Sequence, residues 1–89
     1  MDVDDWRSRI DEIDGEILQL ISKRAEVARR IGQVKMETGL PPEDPAREED
    51  ILRRLTEINQ GLLDADAVRR IFSLIIAEIK GSNQGGKGG

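Results

Sequence analysis

The chain has 89 residues, enough for one small domain, and a chain of this size buries so little surface that we expect self-association. Its 18 acidic and 14 basic residues give a net charge of -4, which argues against a general nucleic-acid binder. Cysteine and histidine are absent, which excludes disulfide bonds, thiolate catalysis and a Ser-His arrangement. We see no signal peptide and no apolar run of about 18 residues, so we expect a cytoplasmic protein without a membrane partner.

The first forty residues predict one long helix, because they contain no proline and apolar residues return every three or four positions from Val3 to Val34. Aspartates favour a capped start near Asp2, and Gly39 followed by two prolines predicts an end near Glu37. A helix of about 36 residues is about 54 Å long, which exceeds the diameter of a compact domain of this size. Something outside the subunit should therefore cover part of it, and a second copy is the simplest candidate.

Two cations interrupt the apolar face of this long helix. Arg24 falls where the heptad pattern requires an aliphatic residue, and Lys35 lies about 20° from it around the helix and about 16 Å further along. For either residue alone, an intramolecular salt bridge is the more frequent explanation. As a pair, both need anionic company, which predicts that a small dianion lies in a groove between helices.

A second helix is predicted from about Pro45 to Asn59, because Asp44 is a good cap and a proline at the first helical position loses no hydrogen bond. Its apolar face consists of aliphatic residues at helical spacing, which are Ile51, Leu52, Leu55 and Ile58. Glu48 lies about 30° from the middle of this face, and Arg47 lies at its edge. Two more charges therefore lean toward the buried side.

A third helix is predicted to begin after Asp64 and to end at Lys80 and Gly81, a cation and a glycine of the kind that close helices. The expected fold is all-α, with one long and two shorter helices per subunit in an intertwined homodimer. We expect a helical domain over residues 1–81 and a flexible Gly-rich tail over residues 82–89.

The residues that could carry chemistry are charged side chains on or near the apolar faces. They comprise four cations and two anions, namely Arg7, Arg24, Lys35, Arg47, Asp44 and Glu48. Because the chain offers no histidine base and no thiol nucleophile, this is a binding site, and if it is catalytic, the chemistry must proceed through placement of the substrate and electrostatic stabilisation of developing charge.

Five motifs follow one another along the chain. They are Arg7 with Ile10-Asp11-Glu12-Ile13-Asp14, then Lys23-Arg24-Ala25, Ile31-Gly32-Gln33-Val34-Lys35, Asp44-Pro45-Ala46-Arg47-Glu48-Glu49, and Ile71-Phe72 with Ile75-Ile76. Together they resemble the all-helical class of chorismate mutase, in order and in spacing, over most of the chain. The resemblance implies a pericyclic rearrangement of chorismate to prephenate, in aromatic amino acid biosynthesis, by a homodimer that needs no cofactor and no metal.

The resemblance also implies roles for the charged residues. Arg24 and Arg47 would hold the two carboxylates of the substrate, with Arg7 reaching over from the other subunit. Lys35 would donate to the ether oxygen, where negative charge grows as the C–O bond breaks. Glu48, together with the backbone near Asp44, would hold the ring hydroxyl. The apolar walls of the site would be Ile31, Ile51 and Ile76.

The last helix departs from the pattern of this family. Seven residues after the phenylalanine the family often has serine, and four further on a glutamine or glutamate gives the ether oxygen a second contact. Counted from Phe72, these positions hold Ile79 and Asn83. Asn83 could donate the same hydrogen bond with a shorter arm, and Gln84 could do so after a shift of one residue; a frayed helix end without function is the alternative. We therefore expect Lys35 to carry more of the stabilisation, or activity to be reduced.

Two other functions fit the same residues. Isochorismate-pyruvate lyase uses a related helical scaffold and a similar anion. A non-catalytic helical dimerisation or regulatory module, free or fused to a larger protein, could bind a related metabolite without converting it, and the altered end of the third helix fits that role. Identification of the product separates the two enzymes, and binding without conversion identifies the module.

Overall fold

Three α-helices make up the described part of the chain, residues 1–85, in the computed structural model, so the predicted all-α architecture is confirmed there. They are α1 (Val3–Thr38), α2 (Pro45–Ile58) and α3 (Ala65–Gly85). The structure describes residues 1–85, and it describes side chains as far as residue 83. Within this part of the chain, no helix combines the length and the apolar character that crossing a membrane requires.

Local sequence signals determine most of the helix ends. Asp2 and Asp5 form a reciprocal capping box at the start of α1, in which each carboxylate accepts from the other residue's backbone N–H, at 3.1 and 2.9 Å. Asp44 and Asp64 cap α2 and α3 by accepting from a backbone N–H three residues later. Gly39 ends α1 in the left-handed conformation, with a φ of 75°. The predicted bounds of α1 and α2 are confirmed to within one residue.

The exception is the end of α3. The prediction that Lys80 and Gly81 close this helix is wrong, because α3 continues to Gly85. Gly81 does not adopt the left-handed conformation that ends a helix, and no proline follows it to block the next turn. The extra turn places Asn83 on a helix. Of the predicted Gly-rich tail, residues 86–89 lie outside the described residues.

The packing of the helices leaves a gap between α1 and α2. α3 packs against both other helices, whereas α1 and α2 do not pack against each other within residues 1–85. The buried apolar side chains of the described part all come from α2 and α3, and they are Leu52, Val68 and Ile79. One side of α1 and one side of α2 therefore face an open space that has α3 along its base.

The apolar face of α1 stays exposed along the whole helix. No residue of α1 is buried, and the molecule extends 55 Å in its longest dimension. The exposed apolar residues at heptad spacing form what we call the α1 stripe: Val3, Trp6, Ile10, Ile13, Ile17, Leu20, Val27, Ile31 and Val34. Between 48 and 63% of each remains exposed, and an exposed apolar surface of this length, interrupted at Arg24, is typical of an interaction site.

Substitution by alanine should have opposite effects at two glycines, one within α1 and one directly after its last residue. Gly15 lies within the helix on the side opposite the α1 stripe, and a Cβ there meets nothing within 4 Å, so Gly15→Ala should stabilise the fold by about 1 kcal/mol. Gly39 has a φ of 75°, which costs an L side chain about 1 to 2 kcal/mol, so Gly39→Ala should destabilise it. Urea unfolding at one fixed protein concentration measures the free energy of unfolding of both variants. A change of this free energy in the same direction in both variants would contradict the conformations described for the two glycines.

Candidate active site

A groove with a volume of about 950 Å³ occupies the gap between α1 and α2. Its walls come from the second half of α1, from the linker that joins α1 to α2 and from α2, and its base comes from α3. The three aliphatic residues predicted as walls, Ile31, Ile51 and Ile76, line this one cavity from three different helices. The volume lies in the range that sites for small organic molecules occupy.

The groove is rich in positive charge. Among the described residues that line it, six are cationic: Arg24, Arg29, Lys35, Arg47, Arg54 and Lys80. Two are acidic, Asp44 and Glu48. Arg24 and Lys35 belong to α1 and Arg47 belongs to α2, so cations from both walls meet at one apolar cavity. Such a cavity is suited to an anion with more than one negative group.

Arg24, Lys35 and Arg47 form no ion pair with a carboxylate in the part of the chain that the structure describes. Arg24 and Lys35 are half-buried, so bulk water compensates their charge only in part. Glu26, which lies close to Arg24 in the sequence of α1, is engaged by Arg29 at 2.6 Å, and this hydrogen bond lowers the pKa of the Glu26 carboxyl. The three cations are therefore left available to a bound molecule.

The linker between α1 and α2 borders the groove beside Lys35. The Lys35 Nζ donates a long hydrogen bond of 3.5 Å to the carbonyl oxygen of Pro42. A bond of this length is weak, so an acceptor on a bound molecule can replace it. Asp44 ends the linker, and its carboxylate accepts from the Arg47 backbone N–H at 3.1 Å. That carboxylate fixes the first turn of α2, and with it the position from which Arg47 enters the groove.

Lys80 of α3 also lines the groove, although its place in the sequence predicted only a cation at a helix end. Its Nζ donates to Glu48 Oε2 at 2.6 Å and to Glu43 Oε1 at 2.8 Å. Hydrogen bonds to Glu43 and Glu48 raise the pKa of the Lys80 ammonium above its ordinary value. The signal for this residue is the spacing of Ile76, Lys80 and Asn83, which places all three on one face of α3.

Arg7 is the predicted site residue that does not line this groove. It is exposed and lies 3.6 Å from the carboxylate of Asp4 in the first turns of α1. Arg7 and Arg24 are separated by about 25 Å along the helix axis, which no side chain spans. Arg7 therefore cannot reach the groove of its own chain.

A model of the chorismate mutase type II family matches residues 6–84 of the chain. The chain belongs to this family. The chorismate mutase of Methanocaldococcus jannaschii is 35% identical over 75 residues, which cover 83% of this chain and 76% of that protein. A solved structure of chorismate mutase from Thermus thermophilus has a TM-score of 0.85 and 35% identity, covering 86% of this chain and 96% of that one. The predicted family is thus confirmed.

Other relatives within the family are much longer. The bifunctional chorismate mutase/prephenate dehydratase of Aquifex aeolicus is 37% identical over 75 residues, which cover 80% of this chain and 21% of that protein. The protein of the same description from Neisseria gonorrhoeae is 42% identical over 72 residues, which cover 81% of this chain and 19% of that protein. The chain therefore spans about a fifth of the length of these bifunctional relatives.

Asn83 is the residue at which the sequence predicts a departure from the family's pattern in the last helix. It lines the groove because α3 continues past its predicted end. Its Nδ2 donates a long hydrogen bond of 3.5 Å to the backbone carbonyl of Ala25 on α1. The side chain of Gln84, the other predicted candidate, lies outside the described residues. A role for Asn83 at the ether oxygen stays a prediction.

The two carboxylates on Lys80 give a testable titration. Glu43→Gln removes one charged acceptor, so the pKa of the Lys80 ammonium should fall from its raised value toward 10.5. Because the pKa of Lys80 is higher in the folded than in the unfolded state, its two hydrogen bonds stabilise the fold fully at pH values below the unfolded-state pKa. This stabilisation of the fold is lost as the pH rises through the folded-state pKa of Lys80. NMR titration of lysine side-chain carbons measures the shift, with Lys80→Arg to assign the signal.

Glu49→Gln is the matched control for this titration. Glu49 belongs to the same helix as Glu48 and pairs with Arg69 of α3 at 2.8 Å, away from Lys80. This substitution should leave the pKa of Lys80 unchanged. An equal Lys80 pKa in wild type and Glu43→Gln would show that Glu43 does not contribute to the shift.

Proposed function

We propose that the chain converts chorismate to prephenate in the groove between α1 and α2, and that a second copy of the chain completes each site. The observation that carries this proposal is the group of three cations, Arg24, Lys35 and Arg47, that line an apolar groove and have no carboxylate partner among the described residues. Chorismate carries two carboxylates on a small apolar frame, so it matches the charge and the size of this groove. Membership of the type II chorismate mutase family supports the same substrate.

Arginines suit the two carboxylates of the substrate, because a guanidinium presents two parallel N–H donors to one carboxylate. Arg24 enters from α1 and Arg47 from α2, so the two can hold chorismate at two points across the groove. Apolar walls around a molecule held in this way favour the compact shape in which the reacting carbons approach each other. Arg7 of the partner subunit would add a third guanidinium.

The reaction breaks the ether C–O bond of chorismate and forms a C–C bond within the same molecule, so no external proton, electron or nucleophile is required. Negative charge grows on the ether oxygen as the C–O bond lengthens, and Lys35 would donate to that oxygen in exchange for its 3.5 Å bond to Pro42. A cation fixed in a half-buried groove stabilises such charge better than water does. A millionfold acceleration needs about 8 kcal/mol, which placement and charge stabilisation can supply together.

Two further polar groups would orient the ring and the ether oxygen. Glu48 lines the groove and shares its Oε2 with Lys80, so its carboxylate can also accept from the ring hydroxyl. Asn83 would offer a second donor to the ether oxygen, because its amide is held only by a 3.5 Å bond. Its side chain is one methylene shorter than that of glutamine, so we assign the larger share of the ether-oxygen stabilisation to Lys35.

We infer that the α1 stripe is the surface on which two copies meet as a homodimer. In a symmetric pair each copy presents the same patch, which suits one long apolar face on one long helix. An antiparallel pair of α1 helices centred on the middle of the stripe brings Arg7 of one copy level with about residue 30 of the other. That stretch of α1 lines the groove, so each site would combine Arg7 of the partner subunit with the groove of the first chain.

One further expectation stays a prediction. The cytoplasmic location rests on the sequence alone. Because the chain spans about a fifth of its bifunctional relatives, a second activity such as theirs forms no part of this proposal.

Removal of either groove cation of α1 should strongly lower turnover. Arg24→Ala and Lys35→Ala should each lower kcat/KM for chorismate by at least about 100-fold, since each removes a charge that no other described residue replaces. Arg53→Ala is the control, because Arg53 pairs with Asp50 at 3.0 Å outside the groove and should change kcat/KM less than about twofold. Loss of chorismate and formation of prephenate are followed together.

The same assay tests the alternatives. Turnover of isochorismate to salicylate and pyruvate, without conversion of chorismate, would identify a lyase instead. Chorismate binding by calorimetry without any product would identify a non-catalytic module. Wild-type turnover that survives both Arg24→Ala and Lys35→Ala would end the proposal.

Mixing two inactive variants should restore activity if Arg7 acts across the dimer. A subunit with Arg7→Ala keeps an intact groove, and a subunit with Arg24→Ala keeps an intact Arg7, so each mixed dimer holds one complete site. An equal mixture after subunit exchange should recover about a quarter of wild-type activity per chain. No recovery, although mass measurement shows mixed dimers, would mean that Arg7 does not serve the partner's site.

A further inference from the structure

Lys80 joins three separate segments of the chain at the edge of the groove. Its Nζ donates to Glu48 Oε2 of α2 at 2.6 Å and to Glu43 Oε1 of the linker at 2.8 Å, while its backbone belongs to α3. About a third of the Lys80 and Glu48 side chains is exposed, at 32 and 36%. Two short charge-assisted hydrogen bonds on one ammonium restrict the positions of both carboxylates more tightly than a single surface ion pair does.

A neighbouring ion pair provides a comparison within the same two helices. Arg69 of α3 binds Glu49 of α2 through two hydrogen bonds at 2.8 and 2.9 Å. Neither residue lines the groove, whereas Lys80 and Glu48 both do. Both ion pairs connect α2 to α3. Of the two, only the pair of Lys80 and Glu48 includes a carboxylate that would contact the substrate in the proposed function.

We propose that Lys80 is a positioning residue, which holds the Glu48 carboxylate toward the ring hydroxyl of the substrate and fastens the linker at the groove through Glu43. The proposal rests on the proposed function of Glu48. Without Lys80, the Glu48 side chain regains rotamer freedom and must be ordered when substrate binds. The raised pKa of the Lys80 ammonium agrees with this arrangement, because it stays charged over the range in which the enzyme would work.

Steady-state kinetics of Lys80→Met test the proposal. A hydroxyl contact exists equally in the bound substrate and in the transition state, so its loss raises KM and leaves kcat nearly unchanged. We expect KM for chorismate to rise about tenfold and kcat to stay within about threefold. Lys80→Arg should restore most of the affinity, and Glu49→Gln should behave as wild type. An unchanged KM in Lys80→Met would contradict the positioning role and would mean that Lys80 and Glu48 form only a surface salt bridge.

A chorismate analogue without the ring hydroxyl separates positioning from direct contact. If Lys80 acts through Glu48 on that hydroxyl, Lys80→Met should not change the KM of the analogue. An equal rise in KM for chorismate and for the analogue would mean that Lys80 contacts the substrate elsewhere, and would overturn the proposal.

A measurement on the free protein distinguishes failure of this inference from failure of the proposed function. NMR order parameters of the Glu43 backbone amide should fall in Lys80→Met and not in Glu49→Gln, whether or not chorismate is a substrate. A wild-type protein that does not convert chorismate refutes the proposed function. Unchanged order at Glu43 refutes the fastening of the linker.

Discussion

Positive charge that lies on an apolar surface, without a carboxylate partner among residues 1–85, is the constraint on which the rest of this molecule depends. The chain has 18 acidic residues, so a shortage of acids does not explain it. The acids near the groove are engaged elsewhere: Glu26 binds Arg29, Asp44 caps α2, and Glu48 binds Lys80. The fold thus keeps Arg24 and Lys35 available to a bound anion, which would offset the cost of burying part of each charge.

The same long helix carries both the groove cations and the exposed α1 stripe, which links the site to the association of the chain. Residues 1–85 leave a groove of about 950 Å³ open between α1 and α2, and they bury no residue of the 36-residue helix α1. No residue of α1 is buried within the subunit, and in the proposed dimer the α1 stripe would be covered by a second copy. In the proposed dimer, association and site completion are one event, so dilution below the dimer Kd removes activity and stability together.

The helix starts could be predicted from the sequence, because each depends on residues that are close together in it. Asp44, for example, caps α2 by accepting from a backbone N–H only three residues later. The shared face of Arg24 and Lys35 was predictable for the same reason, since helical geometry fixes it. The end of α3 was not predictable in this way, because Gly81 permits a helix end without imposing one. The partnership of Lys80 with Glu48 joins residues 32 positions apart, so it appears only once α2 and α3 are packed.

Division of the groove into differently charged regions explains how it can select among small dianions. A groove with only Arg24, Lys35 and Arg47 would attract any molecule with two carboxylates. The Glu48 carboxylate repels an anion that approaches it, unless that anion presents a hydrogen-bond donor at that point. Pairing with Lys80 keeps this carboxylate in place and also withdraws one cation from competition for the substrate's carboxylates. In the proposed function, attraction by the cations at one end and the contact with Glu48 at the other would together define the position and the orientation of the substrate.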